Sequence, residues 1–596
     1  MGFVKPYLPA IDYDEWRAKP RAERLHAMVV DWADAGFGTP DSVYLLYALK
    51  IAGYIAAAVF FVALTPGIGG FGEVARWWTE PIVFEKVVLW TVLFEVIGLG
   101  CGFGPLTLRF LPPIGAFLYW LRPGTIRLPP WPGKVPGTRG TTRTPLDVLL
   151  YAGVLAAAVW ALLAPGSRGL GGLPGSVGLI EPARLWPLVI LLPVLGLRDK
   201  TIFLAARAEV YGTMTLTFLL PGTDMIVTAK FVMLALWWGA ATSKLNQHFP
   251  YVVSVMMSNN PLLRAKALKR VFFRSYPDDI RPSVASRALA HGGTVIEFTV
   301  PLLLVLSRGG TLTVVAATIM VAFHLLILTS IPLGVPLEWN VFMIFSICFL
   351  FGHYAFAGPA AITQPVPDLV LLTVVALTII TGNLAPSMIS FLPAMRYYAG
   401  NWDTSLWCLR PEAAAKLEAG IKKAAPLPSV QLTRLYGAQV TDLLMHKGMA
   451  FRAMHAHGRA LYGMIPRLCG PTHETDYIPS DGEFIAGVVL GWNFGDGHLH
   501  NRQLLDALQE RCHFAEGDVR VVVLDAQPMH RQRQHYQLID AATGVFEDGY
   551  VAVSDMLARQ PWTADFPVQV VSRPASVPTE PSLTEPNRTE PGLAES

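Results

Sequence analysis

Eight stretches of the chain are almost wholly apolar: residues 43–64, 82–103, 146–164, 225–241, 289–307, 312–332, 341–358 and 369–391. Each approaches the roughly 20 residues that a helix needs to cross a bilayer core. Two weaker stretches, 185–197 and 201–220, are short or interrupted by Arg207 and Glu209. Eight spans are therefore expected, and ten is the best count. Ahead of them, Pro20 opens a short helix with Leu25, Met28, Val29 and Trp32 on one stripe, which predicts an amphipathic segment on the inner membrane surface. The brief apolar run 114–120 is too short to span and reads as re-entrant or interfacial.

After Trp402 the pattern turns to mixed α/β. Helices are expected at 411–423, 432–449 and 501–512, the last capped by Asn501. Strands are expected at 484–490 and 519–524, where β-branched residues cluster. Beyond 571 the Thr-Glu-Pro repeats at 579–581, 584–586 and 589–591 predict a disordered tail.

Composition supports this division. The 596 residues are 52% hydrophobic but only 15% charged, against about 25% in a soluble protein. Residues 401–596 hold 17 Lys and Arg against 23 Asp and Glu, whereas 288–394 hold only Glu297, Arg308, Glu338 and Asp368. The fold class is thus an α-helical polytopic membrane protein with 8–10 transmembrane helices and a C-terminal soluble α+β domain. Its expected parts are 1–42, a cytoplasmic segment; 43–395, the transmembrane body; 396–571, the soluble domain; and 572–596, the tail. With ten spans, the predicted inner segments 1–42, 104–145, 198–200 and 242–287 carry five, six, two and eight Lys or Arg. The outer loops 65–81, 165–184, 221–224 and 308–311 carry one, two, none and one. The rule that inner loops collect positive charge then puts both termini in the cytoplasm of a cell-membrane protein. Five cysteines without a CxxC pair fit a reducing compartment. Residues 1–40 contain no apolar signal-peptide core.

Ionisable side chains inside apolar spans are expensive and mark functional positions. Glu95, Lys230, Glu297, His324 and His353 lie well within their segments, while Lys50, Glu85 and Lys86 are placed to snorkel. Together they imply a polar internal cavity. The basic stretch 262–273, with Arg264, Lys266, Lys269 and Arg270, reads as a flank touching anionic headgroups. Membrane lipids are therefore the expected partners, and nothing supports nucleic-acid binding.

Within 237–351, Gly239-Ala240-Ala241-Thr242-Ser243-Lys244-Leu245 is followed by His291-Gly292-Gly293, Glu297 and the pair Phe323-His324. This order resembles the membrane core of vitamin K-dependent γ-glutamyl carboxylases and the related horizontally transferred transmembrane (HTTM) proteins. The resemblance implies a membrane enzyme acting on a quinone or other lipid-soluble substrate, with Lys244 as base and His324 and Glu297 as further catalytic candidates. A tryptophan commonly follows that lysine in those proteins, whereas Asn246 and Gln247 stand here. They also carry a β-rich lumenal domain, so glutamate carboxylation itself is not implied. Over its whole length the chain resembles an uncharacterised bacterial family of polytopic membrane proteins. The alternative function is a lipid or small-solute transporter, or a scaffold regulated by the C-terminal domain.

Nine of the fourteen histidines fall in that domain. In Gly495-Asp496-Gly497-His498-Leu499-His500, the HxH spacing would let His498 and His500 bind a metal if they lay on a strand. Asp496-Gly497 is equally a turn signal, in which the two histidines pin the turn. No P-loop, GxGxxG, HExxH or GxSxG is present, so nucleotide use and standard hydrolase chemistry have no support.

Overall fold

A computed structural model describes residues 3–100, 116–167, 177–330 and 337–573. Cys101 and the expected disordered tail from 574 onward lie outside these residues, as do parts of the runs 82–103, 114–120 and 312–332.

The apolar runs fold as helices. They are α2 (Asp41–Ala63), α3 (Pro81–Val96), α4 (Pro145–Leu162), α5 (Pro182–Arg198), α7 (Gly222–Ser243), α9 (Val284–Leu306), α10 (Gly310–Ser330), α11 (Leu337–Ser346) and α12 (Pro365–Leu384); α1 is Arg21–Ala35, α6 is Lys200–Ala205 and α8 is Phe249–Asn259. Six of these (α2, α4, α7, α9, α10 and α12) are long and apolar enough to cross a membrane. Local chemistry sets their starts. Thr144 and Asp147 form a capping box ahead of Pro145, and Ser283 accepts from the Ser286 amide. The α11 helix continues as a π-helix over Ile347–His353, and the weak run 201–220 is broken after α6.

The ends of the helices sort onto two faces. On one face the connections bond to the C-terminal region: Trp120 donates to the Leu490 carbonyl (2.9 Å), Lys200 to Gln503 (2.8 Å), Tyr251 to the Leu557 carbonyl (2.6 Å), and His498 to the Pro386 carbonyl (3.2 Å). On the other face the connections bond to one another. Tyr354 donates to the Thr79 carbonyl, the Ile180 amide to Glu85, and the Thr363 amide to Asp224. The N-terminal segment shares the face of the C-terminal region, its Arg21 amide donating to Glu474.

The C-terminal region is built on a six-stranded antiparallel sheet of β1 (Thr404–Leu409), β2 (Ile478–Asp481), β3 (Val519–Leu524), β4 (Arg533–Asp540), β5 (Gly544–Ala552) and β6 (Gln569–Ser572). Their order is β6-β5-β4-β3-β1-β2, with Leu406 opposite Val522 on one side and Asp481 on the other. The expected strand at 519–524 is β3, and Asn501 caps the helix Arg502–Cys512.

Three expectations need correction. Residues 484–490 are not a strand but lie in the helix Gly482–Leu490, because Asp481 caps its start and Gly491, at φ +88°, ends it. Its residues are buried all round, so no helical period marks them. The expected single helix at 432–449 is two, Pro428–Tyr436 and Ala438–Met454, parted by Gly437 at φ +83°. The stripe Leu25, Met28, Val29 and Trp32 is not left for the membrane surface but is fully buried inside the protein. The Trp32 ring lies tilted against Phe451 at 5.2 Å and its N–H donates to the Val255 carbonyl, and Lys447 pairs with Asp31 at 2.7 Å.

Candidate functional site

Several charges within the spans are bound structurally. Lys230 donates to the carbonyls of Tyr354 (2.7 Å) and Ala357 (2.5 Å), just beyond the end of the π-helix. Lys50 meets Glu338 at 3.2 Å, Glu85 accepts from the Ile180 amide, and His353 is exposed beside Trp78. Lys86 and Glu95 are buried within α3.

Lys244, Glu297 and His324 instead line one cavity of about 370 Å³ between α7, α8, α9, α10 and α11. Lys244 is the last residue of its helical stretch, the C-cap of α7. The small residues before it let neighbours approach: a Cβ on Gly239 would stand 2.8 Å from the Cβ of Met395. Glu297 lies 13 residues into α9 and 9 from its end, near the middle of that helix. Its two oxygens accept from the Lys244 ammonium at 2.5 and 2.6 Å. An ammonium has three N–H groups, and the third has no protein acceptor among the described residues. The Phe249 ring lies 5.5 Å from this nitrogen.

His324 has both ring nitrogens engaged. The Trp237 indole N–H donates to Nε2 (3.1 Å), and Nδ1 lies 3.0 Å from the Asn340 side-chain oxygen. Because an indole only donates, Nε2 accepts and Nδ1 carries the proton. His324 thus fixes Trp237 and Asn340, both of which line the cavity.

A second buried pair borders the same space. Arg207 stands at the break after α6, in the left-handed region (φ 50°, ψ 46°), and a π-helix follows at Ala208–Gly212. Such conformations are costly for a side chain other than glycine and concentrate at functional sites. Arg207 meets Glu209 at 2.8 Å and lies over the Trp339 ring at 4.4 Å, with Tyr397 and Phe494 also in reach. Tyr397, Tyr398 and Phe494 complete the lining, so the C-terminal region closes one end of the membrane cavity.

Sequence reading reached Lys244, Glu297 and His324, and marked Arg207 and Glu209 as interruptions of a span. It missed Trp237, Asn340 and Phe494. Asn340, an amide immediately before the apolar run 341–358, carried a signal; Phe494 carried none, since it reaches the cavity only through folding of the C-terminal region.

His498 and His500 lie on a 3₁₀ turn rather than a strand, and they serve different partners. His498 meets Asp403 at 3.0 Å. Burial opposes its charge, but Asp403 and Asp496 raise it above the usual histidine value. His500 Nδ1 lies 2.7 Å from the Ser405 hydroxyl, and burial lowers its pKa to about 3. Among the described residues no group of three or more His, Cys, Asp or Glu is placed to hold a metal. Four cysteines, Cys348, Cys408, Cys469 and Cys512, are free thiols.

The chain belongs to a family of transmembrane proteins of unknown function (DUF3556), whose family model matches residues 1–571. No curated protein and no solved structure matches it.

Proposed function

We propose that this member of the transmembrane family is an HTTM-type membrane enzyme that takes a quinone or other lipid-soluble substrate into the cavity between α7, α9 and α10. The observation that carries the reading is the Lys244–Glu297 pair, set in walls formed mainly by Leu, Val, Met and aromatic side chains. A charged pair in such surroundings bears a desolvation cost, so passing the shared proton from lysine to glutamate relieves both charges at once. Rotation about the Cε–Nζ bond then turns the amine's lone pair from Glu297 toward the cavity, where it acts as base, with Glu297 as its proton store. His324, with both nitrogens engaged, acts as a positioning residue through Trp237 and Asn340. The test is complementation in a strain lacking the protein. Lys244→Ala and Glu297→Gln are expected to fail, and the double variant Lys244→Met/Glu297→Gln, which leaves no unpaired charge, is expected to reach the membrane and still fail; full rescue by Lys244→Ala overturns the base assignment.

The second reading is transport of a lipid or small solute, favoured by the broken helix that carries Arg207 into the same cavity. Flux of a lipid-soluble probe across proteoliposomes, lost in Arg207→Ala and kept in Lys244→Ala, would select it. In either case we place both termini in the cytoplasm, the C-terminal region 396–571 acting as a cap on the cavity.

A further inference from the structure

The cavity reaches the outer surface of the bundle within the membrane-spanning helices. Ala288, Leu289 and Gly292 of α9, and Leu326 of α10, line it and are also exposed; Phe323 and Ile327 line it half-buried. A Cβ added to Gly292 would meet no atom within 4 Å, and one on Gly293 would lie 3.6 Å from the Phe323 ring. Two consecutive glycines therefore leave a gap in α9 where it faces α10. At about 1.5 Å per residue, Ala288–Gly292 lies about 6–12 Å into α9 from the face that carries the C-terminal region, and Glu297 about 20 Å in. Neighbouring outward side chains are apolar (Val295, Leu325), while Arg287 is exposed about 5 Å into α9 and His291 about 10 Å in, level with the gap. Both helices have the length and composition to cross a bilayer, so the medium at this gap is lipid.

We infer that Gly292, with Phe323 and Leu326 opposite, forms a lateral portal through which a chain-bearing lipid enters from the leaflet next to the C-terminal region. This rests on the cavity being a ligand site and names the class of ligand: a molecule with one oxygen-bearing end and a long apolar chain. The polar end meets the third N–H of Lys244. The chain leaves through the portal and stays in the bilayer, so a cavity of about 370 Å³ accepts a molecule much longer than itself. Any branched side chain at position 292 fills the gap and shuts the route.

The test is photolabelling of the full-length protein in phosphatidylcholine–phosphatidylglycerol nanodiscs, using hexadecanol with a mid-chain diazirine and a terminal alkyne. In the wild type, label is expected on the inner residues Trp237 and Met343 and on the rim residues Leu289 and Leu326. Gly292→Leu is expected to lower inner labelling at least about fivefold, while labelling of the outward Leu325 persists. Gly292→Ala, whose methyl group meets no neighbour, labels as the wild type; size-exclusion elution in detergent shows that Gly292→Leu is folded. Equal inner labelling in Gly292→Leu and wild type overturns the portal and leaves the cavity as a ligand site. Inner labelling of the wild type in micelles but not in nanodiscs does the same. Absence of inner labelling in both media overturns the cavity as a ligand site and the portal with it.

Discussion

Glu297 holds Lys244 by both carboxylate oxygens, at 2.5 and 2.6 Å, although the two residues stand 53 positions apart and on different helices. Each is nearly enclosed, so neither charge has water to turn to if the other is removed. Lys244→Met or Glu297→Gln alone is expected to cost about 3–5 kcal/mol, because it leaves one buried charge without its partner. The double variant Lys244→Met/Glu297→Gln should recover most of that loss. Thermal unfolding of the four proteins in one detergent gives the cycle, and additive losses would show that the pair does not couple.

Gly497 underlies the turn that holds His498. A Cβ there would stand 2.1 Å from the Asp403 carbonyl oxygen, a backbone atom that cannot move aside cheaply. Gly497→Ala is expected to destabilise the C-terminal region by about 1–3 kcal/mol. Hydrogen exchange of β1, next to Asp403, should rise; unchanged protection there would count against the close contact.

His535, on β4, lies between Asp525 and Asp548 at 2.8 Å each. The bond to Asp525 raises its pKa to about 9, against the partial burial that opposes its charge. Since the folded value exceeds the unfolded one of about 6.5, the stabilisation is fully present below that pH and is lost as pH rises through about 9. Denaturant unfolding at pH 7 and pH 10 should therefore show a larger alkaline loss in the wild type than in His535→Gln. Equal losses would remove His535 from the account.

Topology is open to a direct check. With a single cysteine placed at Ser596 in a cysteine-free background, a membrane-impermeant maleimide should label permeabilised cells but not intact ones. Labelling of intact cells would put the C-terminal region outside.

Most of the helical body was legible because crossing a bilayer demands long apolar runs, and 43–64, 146–164, 225–241 and 289–307 announce themselves by composition alone. Strand 519–524 and the Asn501 cap were legible for local reasons: β-branching in the first, a side-chain oxygen ahead of a helix in the second. The helix Gly482–Leu490 was not, since a segment buried on every side has no polar face to reveal its period.

The site divides along the same line. The sequence by itself determined a membrane class, a change to α+β after Trp402, and a few ionisable residues too costly to be idle. Only the tertiary structure decided which of them meet: Lys230 goes to backbone carbonyls, Lys50 to Glu338, and Lys244 to Glu297 beside His324. The reason is physical. Hydropathy is a property of each segment, whereas a cavity exists only where α7, α9, α10 and the C-terminal Phe494 are packed against one another.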